Sequence, residues 1–414
     1  MLPLILFLVF ILVGCQGKLI SQRYTCVDCH KLESFQKHAS LRCGDCHQGV
    51  ELAANKEEAH KNLKVSFNSQ EVEAHCVKCH EREVSGFRQS THYHYSRELK
   101  SIYRGFGLSL KKESLSQFIT TGQDIETKEG LLEDFLRRRC FTCHIWSKGE
   151  GYAKTKRERG CFSCHKPHQL KRPDEETCLS CHYGKYIGWD YLGLVPHNWA
   201  TDYRSPFVEG KFPERPYGIE AYKLRPDVHK EKGLTCMDCH SKEEVMFGKE
   251  GKSCMSCHEG LKDRLFHSSK VLQKVRCEVC HANFLVQDKR KICYLEYDLN
   301  EEKWGHLMIQ ESKEIETLFA EYYAGKKVEP VMKDKLSDKV SSGIWICTLE
   351  GRKFDELILG KDALGRLCLL REEEIILRGN GLELIGKLKT CKTSHSLGRS
   401  DINRTLKILR DLGN

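Results

Sequence analysis

Cys26-Val-Asp-Cys29-His30 is the first of nine segments in which two cysteines, separated by two residues, are followed at once by histidine. These segments use eighteen of the 23 cysteines in the chain. Zinc ribbons and disulfide frameworks also use C-x-x-C pairs, but neither requires histidine at the next position. With 20 histidines in 414 residues, nine such coincidences have a chance on the order of 10⁻¹². The pattern therefore predicts nine sites of covalent c-type haem attachment.

The spacing of the motif has a physical basis. Residues three apart lie on one face of a helical turn, so both sulfurs can reach one porphyrin while the adjacent histidine binds its iron. The predicted thioether cysteines are Cys26, Cys29, Cys43, Cys46, Cys76, Cys79, Cys140, Cys143, Cys161, Cys164, Cys178, Cys181, Cys236, Cys239, Cys254, Cys257, Cys277 and Cys280. The predicted proximal iron ligands are His30, His47, His80, His144, His165, His182, His240, His258 and His281.

The composition agrees with a cofactor-filled interior. Apolar residues make up 40% of the chain and mean hydropathy is −0.52, which is modest for large hydrophobic cores. Nine planar cofactors would supply the missing interior. We therefore expect a mainly α fold with much irregular structure, organised by the haem stack and followed by a small α+β C-terminal domain. Few prolines and mixed charges exclude collagen-like and disordered classes.

The motifs resemble those of the multihaem c-type cytochromes over residues 23–290. Cys161-Phe-Ser-Cys164-His165-Lys-Pro-His168 is similar to a form common in periplasmic and outer-membrane electron-conduit cytochromes. In that form the second histidine ligates a neighbouring haem. The stretch from Asp227 to His240 is similar to segments of surface-associated multihaem cytochromes. The resemblance implies electron transfer through nine haems, mostly with two axial histidines, in anaerobic or extracellular respiration.

The eleven histidines outside the motifs are the candidates for the sixth iron position. Nine precede residue 290 and match the haems in number: His38, His60, His75, His92, His94, His168, His197, His229 and His267. His306 and His395 are weaker candidates, although His395 could reach back to the last three motifs, which begin at Cys236, Cys254 and Cys277. Met246 and Met308 are rival ligands, but packing is the simpler role for each. Two axial histidines give lower potentials than a methionine–histidine set.

Two other functions stay open. No motif replaces its histidine with lysine, as the catalytic haem of many nitrite reductases does, which disfavours an enzyme. However, His92 and His94 cannot both readily serve one haem, so a haem could keep an open position and reduce a small oxyanion of nitrogen, sulfur or a metalloid. Alternatively, the chain is a subunit of a cytochrome filament, in which His38 or His60 would cross between subunits.

Two haem-free spacers interrupt the motifs. In residues 81–139, Leu99, Ile102, Tyr103 and Phe106 have helical spacing, and a second helix, with Leu131, Leu132, Phe135 and Leu136, should run towards Cys140. Residues 183–235 hold five of the nine prolines and many aromatic residues. We expect this second spacer to cover the haems. A sharper hypothesis is an oxyanion-binding surface near His197, with the cations Arg204, Arg215 and Arg225.

Residues 291–414 contain no motif and are predicted to form the small α+β domain. A helix is indicated by Ile315, Leu318, Phe319 and Tyr322, and strands by 344–349, 366–370, 374–377 and 382–388. Asn380-Gly381 predicts a hairpin turn. The last helix should be amphipathic, with Ile402, Leu406 and Leu409 on one face and Ser400 or Asp401 as its N-cap. Cys293, Cys347, Cys368 and Cys391 could form two disulfides or remain buried thiols.

The N-terminus predicts export. Met1 to Val13 is apolar, and Leu12-Val13-Gly14-Cys15 resembles the lipobox of bacterial lipoproteins. We predict a lipoprotein-type signal peptide at 1–14, lipid attachment at Cys15 and a tether at 15–22. A plain signal peptide is the alternative. The expected location is periplasmic or at the cell surface, with a lipid anchor in the outer membrane.

The net charge of the protein with its cofactors differs from that of the polypeptide alone. The formal charge is +9, but nine haems carry 18 propionates, so 9 − 18 gives about −9. Many cations should therefore pair with propionates, and nucleic acid is not expected as a partner. Expected donors are other redox proteins or quinol-oxidising complexes. The acceptor would be a cytochrome, a mineral or an oxyanion.

Overall fold

A computed structural model describes residues 22–30, 38, 40–65, 67, 69–112, 117–118, 125–166, 168, 172–185, 187–197, 214–261, 265–299, 304, 307 and 309–412. The apolar N-terminus and Cys15 lie outside these ranges, as do His306, Met308 and Arg204. Backbone contacts divide the chain into two compact units, Met1–Phe67 and Asn68–Asn414, and each is described by itself.

The first unit holds two attachment motifs on short helices. Its strands β1 (Tyr24–Thr25) and β2 (Leu52–Ala53) pair antiparallel. Its helices are α1 (Cys26–Cys29), α2 (Cys43–His47) and α3 (Lys56–Ala59). The Asn55 side chain caps α3 by accepting from the Glu58 backbone N–H at 2.9 Å.

The second unit holds the other seven motifs, one of them inside the 19-residue helix α4 and the others on short helices and turns. Its α-helices are α4 (Ser69–Phe87), α5 (Thr91–His94), α6 (Ser96–Gly105), α7 (Lys128–Phe135), α8 (Glu175–Leu179), α9 (Val228–Glu231), α10 (Cys236–Cys239), α11 (Lys242–Phe247), α12 (Ser269–Lys274), α13 (Cys277–His281), α14 (Lys313–Tyr323) and α15 (Ile402–Asp411). A π-helical turn covers Leu136–Cys140, and 3₁₀ turns cover Phe141–Cys143, Gly160–Ser163, Cys254–Ser256, Glu259–Leu261 and Leu265–His267. The helices predicted in the first spacer are confirmed as α6 and α7, the latter continuing through the π turn to Cys140.

A five-stranded sheet organises the C-terminal part of this unit. Its strands are β5 (Gln287–Glu296), β8 (Ile344–Lys353), β9 (Ile358–Lys361), β10 (Leu367–Gly379) and β11 (Leu382–Cys391), in the order β11-β10-β5-β8 with β9 beside β10. Only β5 and β10 run parallel. Two small ribbons accompany it: β3 (Leu194–Pro196) with β4 (Ala221–Lys223), and β6 (Val331–Lys333) with β7 (Val340–Ser342).

The sheet shares its core with helices from the first spacer. Tyr103 of α6 and Leu131 of α7 are fully buried in one cluster with Trp345 of β8. A buried polar contact fixes this packing, because the Trp345 indole N–H donates to Asp134 at 2.7 Å. Asp134 also pairs with Arg138 at 3.1 Å. The C-terminal part is therefore packed into the protein rather than tethered to it.

The expectation of a mainly α fold is wrong. Of the described residues, 38% are helical and 20% lie in strands, so the class is mixed. The sequence reading missed β5, whose run Asp-Lys-Arg-Lys before Ile292 hides its alternation. It also split β10 into two strands. In the sheet these charged residues pair across neighbouring strands, as Arg290 of β5 does with Glu374 of β10 and Glu350 of β8.

Other details of the C-terminal part follow the prediction except at its last helix. The predicted helix is α14, and Asn380 and Gly381 form the hairpin turn with φ of 49° and 74°. Asp401 caps α15 by accepting from the Arg404 N–H at 2.9 Å. The apolar face predicted for α15 is only partly buried: Ile402 and Leu406 are exposed, whereas Leu409 packs beside buried Ile408. Thr405 is buried as well. Within the described residues, no helix has the length and apolarity to cross a membrane.

Candidate functional site

Most of the attachment motifs fold as single helical turns, and the motif at Cys76 lies inside the longer helix α4. In five of them, the histidine N–H donates to the carbonyl of the first cysteine at 2.9–3.0 Å: His30 to Cys26, His165 to Cys161, His182 to Cys178, His240 to Cys236 and His258 to Cys254. This bond brings the two cysteines, three residues apart, onto one side of the turn. The local geometry is thus the one that the motif spacing predicts.

An acidic residue inside the motif stabilises three of these turns. The Asp28 carboxylate accepts from the Thr25 N–H at 2.6 Å, and Asp238 accepts from the Thr235 N–H at 2.6 Å. Asp45 accepts from the Arg42 N–H at 2.7 Å. A carboxylate that satisfies an N-terminal N–H group is a favourable helix cap. In these three motifs, the second residue between the cysteines therefore caps the N-terminus of the turn that would carry the cofactor.

The cysteines separate into two chemical classes. All eighteen motif cysteines are free thiols. The other four described cysteines form the disulfides Cys293–Cys347 and Cys368–Cys391. Cys391 is therefore engaged, so Cys391-Lys-Thr-Ser-His395, which has a single cysteine and the wrong spacing, is not a haem motif. A disulfide framework built from the C-x-x-C pairs is not what the chain forms.

Zinc ligation by the motifs is also a poor fit. A structural zinc site needs four ligands around one ion, commonly both cysteines of a C-x-x-C pair. Among the described residues, the only group of three close metal-ligating side chains is Cys26, Cys43 and Glu51. Those cysteines come from two different motifs. The donor set therefore favours a group that uses the cysteines covalently.

Five motif histidines face a second histidine that lies outside the motifs. In the first unit, the ring centroids of His30 and His60 are 6.0 Å apart. In the second unit, the pairs are His182 with His92 at 6.2 Å, His258 with His229 at 6.0 Å, His240 with His395 at 6.0 Å and His281 with His267 at 6.1 Å. Each pair combines one predicted proximal ligand with one predicted distal ligand.

This spacing fits a metal ion between the rings. An imidazole nitrogen lies about 2 Å from the metal that it binds and about 1.2 Å from its own ring centre, so two axial imidazoles have centroids about 6.4 Å apart. The five observed separations lie between 6.0 and 6.2 Å. The other described ring contacts have centroids between 4.8 and 6.5 Å apart, so the five histidine pairs vary less in distance than ring packing in general does here.

The hydrogen bonds of the histidines leave the same nitrogen available. Nδ1 contacts an acceptor in six of them, at 2.5–3.3 Å: His47 with Lys64 O, His75 with Glu71 O, His229 with Asp227, His240 with Glu244, His281 with Gly398 O and His395 with Thr393 O. An acceptor at Nδ1 fixes the tautomer in which Nε2 can bind a metal, and it raises the basicity of that nitrogen.

The remaining predicted distal ligands have varied surroundings. His197 is buried and stacks on Tyr222 with ring centroids 4.8 Å apart. His94 is exposed and contacts Tyr93 edge-on. The roles of His38, His75, His168 and His197 as iron ligands stay predictions, and His306 lies outside the described residues. His395, the weaker candidate, is one of the five that lie beside a motif histidine.

Thiols of different motifs lie next to one another in the second unit. Hydrogen bonding between Cys76 and Cys161 lowers the pKa of Cys76 and raises that of Cys161. The same contact joins Cys178 with Cys236 and Cys254 with Cys277.

The second cysteine of several motifs also lies near a cysteine of another motif. Burial, and then the nearby Cys181 thiol, raises the pKa of Cys143 and of Cys164. Burial, and then Cys257, raises the pKa of Cys239. The neighbours therefore form one series of motifs that begin at residues 76, 161, 178, 236, 254 and 277. The motif that begins at Cys140 lies beside the motif that begins at Cys178, because Cys143 and Cys181 are neighbours.

Sequence reasoning did not identify the residues that orient the ligands. Asp227, which is 1% exposed, accepts from both the backbone and the ring of His229 at 2.7 and 2.8 Å. Glu244 lies one helical turn after His240. A carboxylate two residues before a histidine, or four after it, is a sequence signal that could have indicated these partners.

The arginines expected near His197 are engaged elsewhere. Arg215 pairs with Glu316 at 3.2 Å and with Glu220 at 3.8 Å. Arg225 pairs with Glu231 at 2.8 Å on the surface. Arg204 lies outside the described residues. Among those described, these arginines are thus neutralised by carboxylates, which weakens the hypothesis of an oxyanion surface there.

No protein-family model, curated protein or solved structure matches the chain. The functional argument therefore depends on the nine motifs and on the geometry around them.

Proposed function

We propose that the chain binds nine covalent c-type haems and transfers electrons among them, as an exported cytochrome of anaerobic or extracellular respiration. The observation that carries the proposal is the set of five histidine pairs with centroids 6.0–6.2 Å apart. When bound, haem supplies reversible one-electron chemistry between Fe(III) and Fe(II). The protein residues anchor it, ligate it and set its surroundings.

The ligand environment favours low potentials. Two histidines lower the potential of a haem relative to a histidine–methionine set. Asp227 beside His229 and Glu244 beside His240 add electron density to the ligands through Nδ1. A negative carboxylate near the ligand also stabilises the more positive, oxidised state. We therefore expect these two sites to be among the lowest in potential.

The series of neighbouring thiols supports transfer rather than storage at isolated sites. Adjacent anchors, such as Cys178 and Cys236, belong to motifs that are far apart in sequence. Cofactors anchored by neighbouring sulfurs are themselves neighbours, because each thioether joins the porphyrin edge directly. Electrons could then pass along all seven motifs of the second unit without leaving the protein.

Two observations bear on the other proposals. His60 lies beside His30 of its own chain, which favours His60 as a ligand within one subunit over a ligand that crosses between filament subunits. The two disulfides are typical of proteins in oxidising compartments, which supports export. A lipid anchor at Cys15 would place the protein near its proposed donors, other redox proteins or quinol-oxidising complexes. Its acceptor would be a cytochrome, a mineral or an oxyanion.

A stoichiometric reductive titration tests the proposal. The purified full-length protein should accept nine electrons per chain. The α-band absorbance of ferrous haem c measures the uptake. In the double variant Cys277→Ala and Cys280→Ala, the ninth motif is removed and the count should fall to eight. A protein that binds zinc instead, or that accepts no electrons, would contradict the proposal.

A further inference from the structure

Arg371 is a buried cation that lacks a partner. It belongs to β10 and is 5% exposed. Its Nε is enclosed by protein atoms, and its guanidinium makes no hydrogen bond or ion pair with any residue that the structure describes. An arginine is almost never buried without an acceptor, because an unpaired interior charge strongly destabilises a fold. The site therefore calls for an anion from outside the described polypeptide.

The five other buried lysines and arginines of the described chain each have an acceptor. The pairs are Arg137 with Asp334, Arg138 with Asp134, Lys185 with Asp288, Lys335 with Glu150, and Arg139 with the Gln310 carbonyl. The missing partner is thus specific to Arg371 and is not a general feature of buried cations in this fold.

A second cation, Lys392, lies on the same face of the sheet. Arg371 pairs with Thr390 of β11, and Lys392 comes two residues later, where its N–H still donates to Leu369 O at 3.0 Å. Alternate residues of a strand share a face. Burial, and then the neighbouring charge of Arg371, lower the pKa of Lys392. Lys392 likewise forms no ion pair within the described part of the chain.

Two carboxylates lie near these cations but are not bound to them. Glu373, on the same face of β10, is bound by Lys185 at 3.0 Å. Glu98 of α6 attracts Lys392 from a distance at which no ion pair forms, and exposed Arg97 repels it. The local charge is therefore balanced only in part, and the two cations keep capacity for a further anion.

The motif that begins at Cys178 lies beside this face of the sheet. Lys185, the partner of Glu373, follows the motif histidine His182 by only three residues. The ion pair is thus a short link between the attachment turn and the face that carries Arg371.

The expected distal ligand of the same haem lies near these cations as well. The His92 ring faces His182 at 6.2 Å. Glu98, six residues after His92, acts electrostatically on both His92 and Lys392. Both ligands of this haem are therefore close to the elements that carry Arg371 and Lys392.

A haem propionate has the chemistry that this pair of cations would bind. Covalent attachment uses the vinyl groups and axial ligation uses the iron, so both propionates stay free to form ion pairs. A carboxylate accepts two parallel hydrogen bonds from one guanidinium, and a lysine adds a third donor. A propionate would thus neutralise the charge that no described carboxylate binds.

We infer that Arg371 and Lys392 bind a propionate of the haem that His182 and His92 ligate. This inference rests on the proposed function, because it needs haem at Cys178. It also gives the sheet a direct effect on one cofactor. Cations beside a propionate favour the reduced haem, which carries one more electron, and so raise its potential.

Spectroelectrochemistry of the full-length holoprotein in three variants tests the inference. Arg371→Met replaces the cation with an apolar side chain, and we expect one of the nine reduction steps to move to lower potential. Arg371→Lys keeps the charge and should keep that step near its wild-type position. Arg378→Gln, at an exposed position of the same strand that pairs with Glu383, is the matched control and should leave all nine steps unchanged.

A spectroscopically marked haem identifies the site. In His92→Gln, the haem at His182 should become high-spin, so its reduction can be followed separately by electron paramagnetic resonance. Adding Arg371→Met should lower the potential of this marked haem. A shift confined to another haem, such as the neighbour at Cys140, whose thiol also lies near Lys185, would overturn the assignment. A His92→Gln variant without a high-spin haem would remove the ligation on which the inference depends.

Further results separate the propionate from a free anion and the inference from the proposed function. A potential of this haem that changes with phosphate concentration at constant ionic strength would indicate a free anion and overturn the inference. Lys392→Gln should lower the same step, and it serves as the test if Arg371→Met does not fold. Nine attached haems with unchanged potentials in both variants would overturn the inference and leave the proposed function standing. A protein without haem at Cys178 and Cys181 would instead count against the proposed function at this motif.

Discussion

Replacing His395 with glutamine should remove the distal ligand of one haem and leave the fold intact. The ring of His395 is stacked at 6.0 Å from His240. Its backbone N–H is held separately by buried Asp190 at 2.9 Å, and that bond does not depend on the side chain. Among the described residues, the side-chain bond that is lost is to Thr393 O at 3.3 Å. The expected cost in free energy of unfolding is therefore about 1 kcal/mol, apart from the ligand bond.

The magnitude of the spectroscopic change follows from the ligand count. One of nine predicted haems loses a histidine, so about one ninth of the ferric haem should change from low-spin to high-spin. Electron paramagnetic resonance with spin quantification, on purified protein with all nine haems attached, measures this fraction. Arg399→Gln is the control, because Arg399 is exposed and lies four residues along the chain.

Two results would refute this reasoning. If His395→Gln has the spectrum of the wild type, His395 is not a ligand and its proximity to His240 is only packing. If several haems change together, the substitution has disturbed the fold rather than one site. A single additional high-spin haem is the result that the geometry predicts, and it would give the C-terminal part a direct role in ligation.

Three further predictions concern potential and stability. Asp227→Asn should raise the potential of one haem, because His229 loses its charged partner at 2.8 Å; spectroelectrochemistry resolves the shifted step. Asp288→Asn should cost about 3–5 kcal/mol in urea unfolding, because Lys185 and Arg352 lose a buried carboxylate. Removing the Cys293–Cys347 disulfide by double alanine substitution should cost about 4 kcal/mol, given its separation of 54 residues.

One result would contradict each of these three predictions. An unchanged set of nine potentials in Asp227→Asn would show that the carboxylate does not tune its ligand. Loss of less than about 1 kcal/mol in Asp288→Asn would mean that the cluster is solvated rather than buried. If the disulfide variant keeps its unfolding midpoint, the sheet between β5 and β8 is stable without the cross-link.

The attachment sites were predictable from sequence because each is a local pattern. Five residues fix the identity of a motif, and the turn from Cys26 to His30 needs only its own backbone bonds. The pairing of histidines was not predictable, because His240 and His395 are brought together by the sheet. His92 and His94 illustrate the limit: sequence indicated that the two cannot both readily serve one haem, but only the structure shows that His92 lies beside a motif histidine.

The errors in fold have similar causes. Periodicity predicted α6 and α14, whose apolar spacing is strong. It failed for β5, where charged residues interrupt the alternation, and it was only partly right for the apolar face of α15, where Thr405 is covered by neighbours that the helix pattern does not reveal. In each case, distant packing overrides the local pattern.

The number of haems on the intact protein tests the central claim most directly. Mass spectrometry of the purified full-length chain, under denaturing conditions that release non-covalent groups, should give the polypeptide mass plus nine haems. Alkylation should then leave all eighteen motif cysteines unmodified, because each is a thioether. A mass without haem, or eighteen cysteines open to alkylation, would contradict the account.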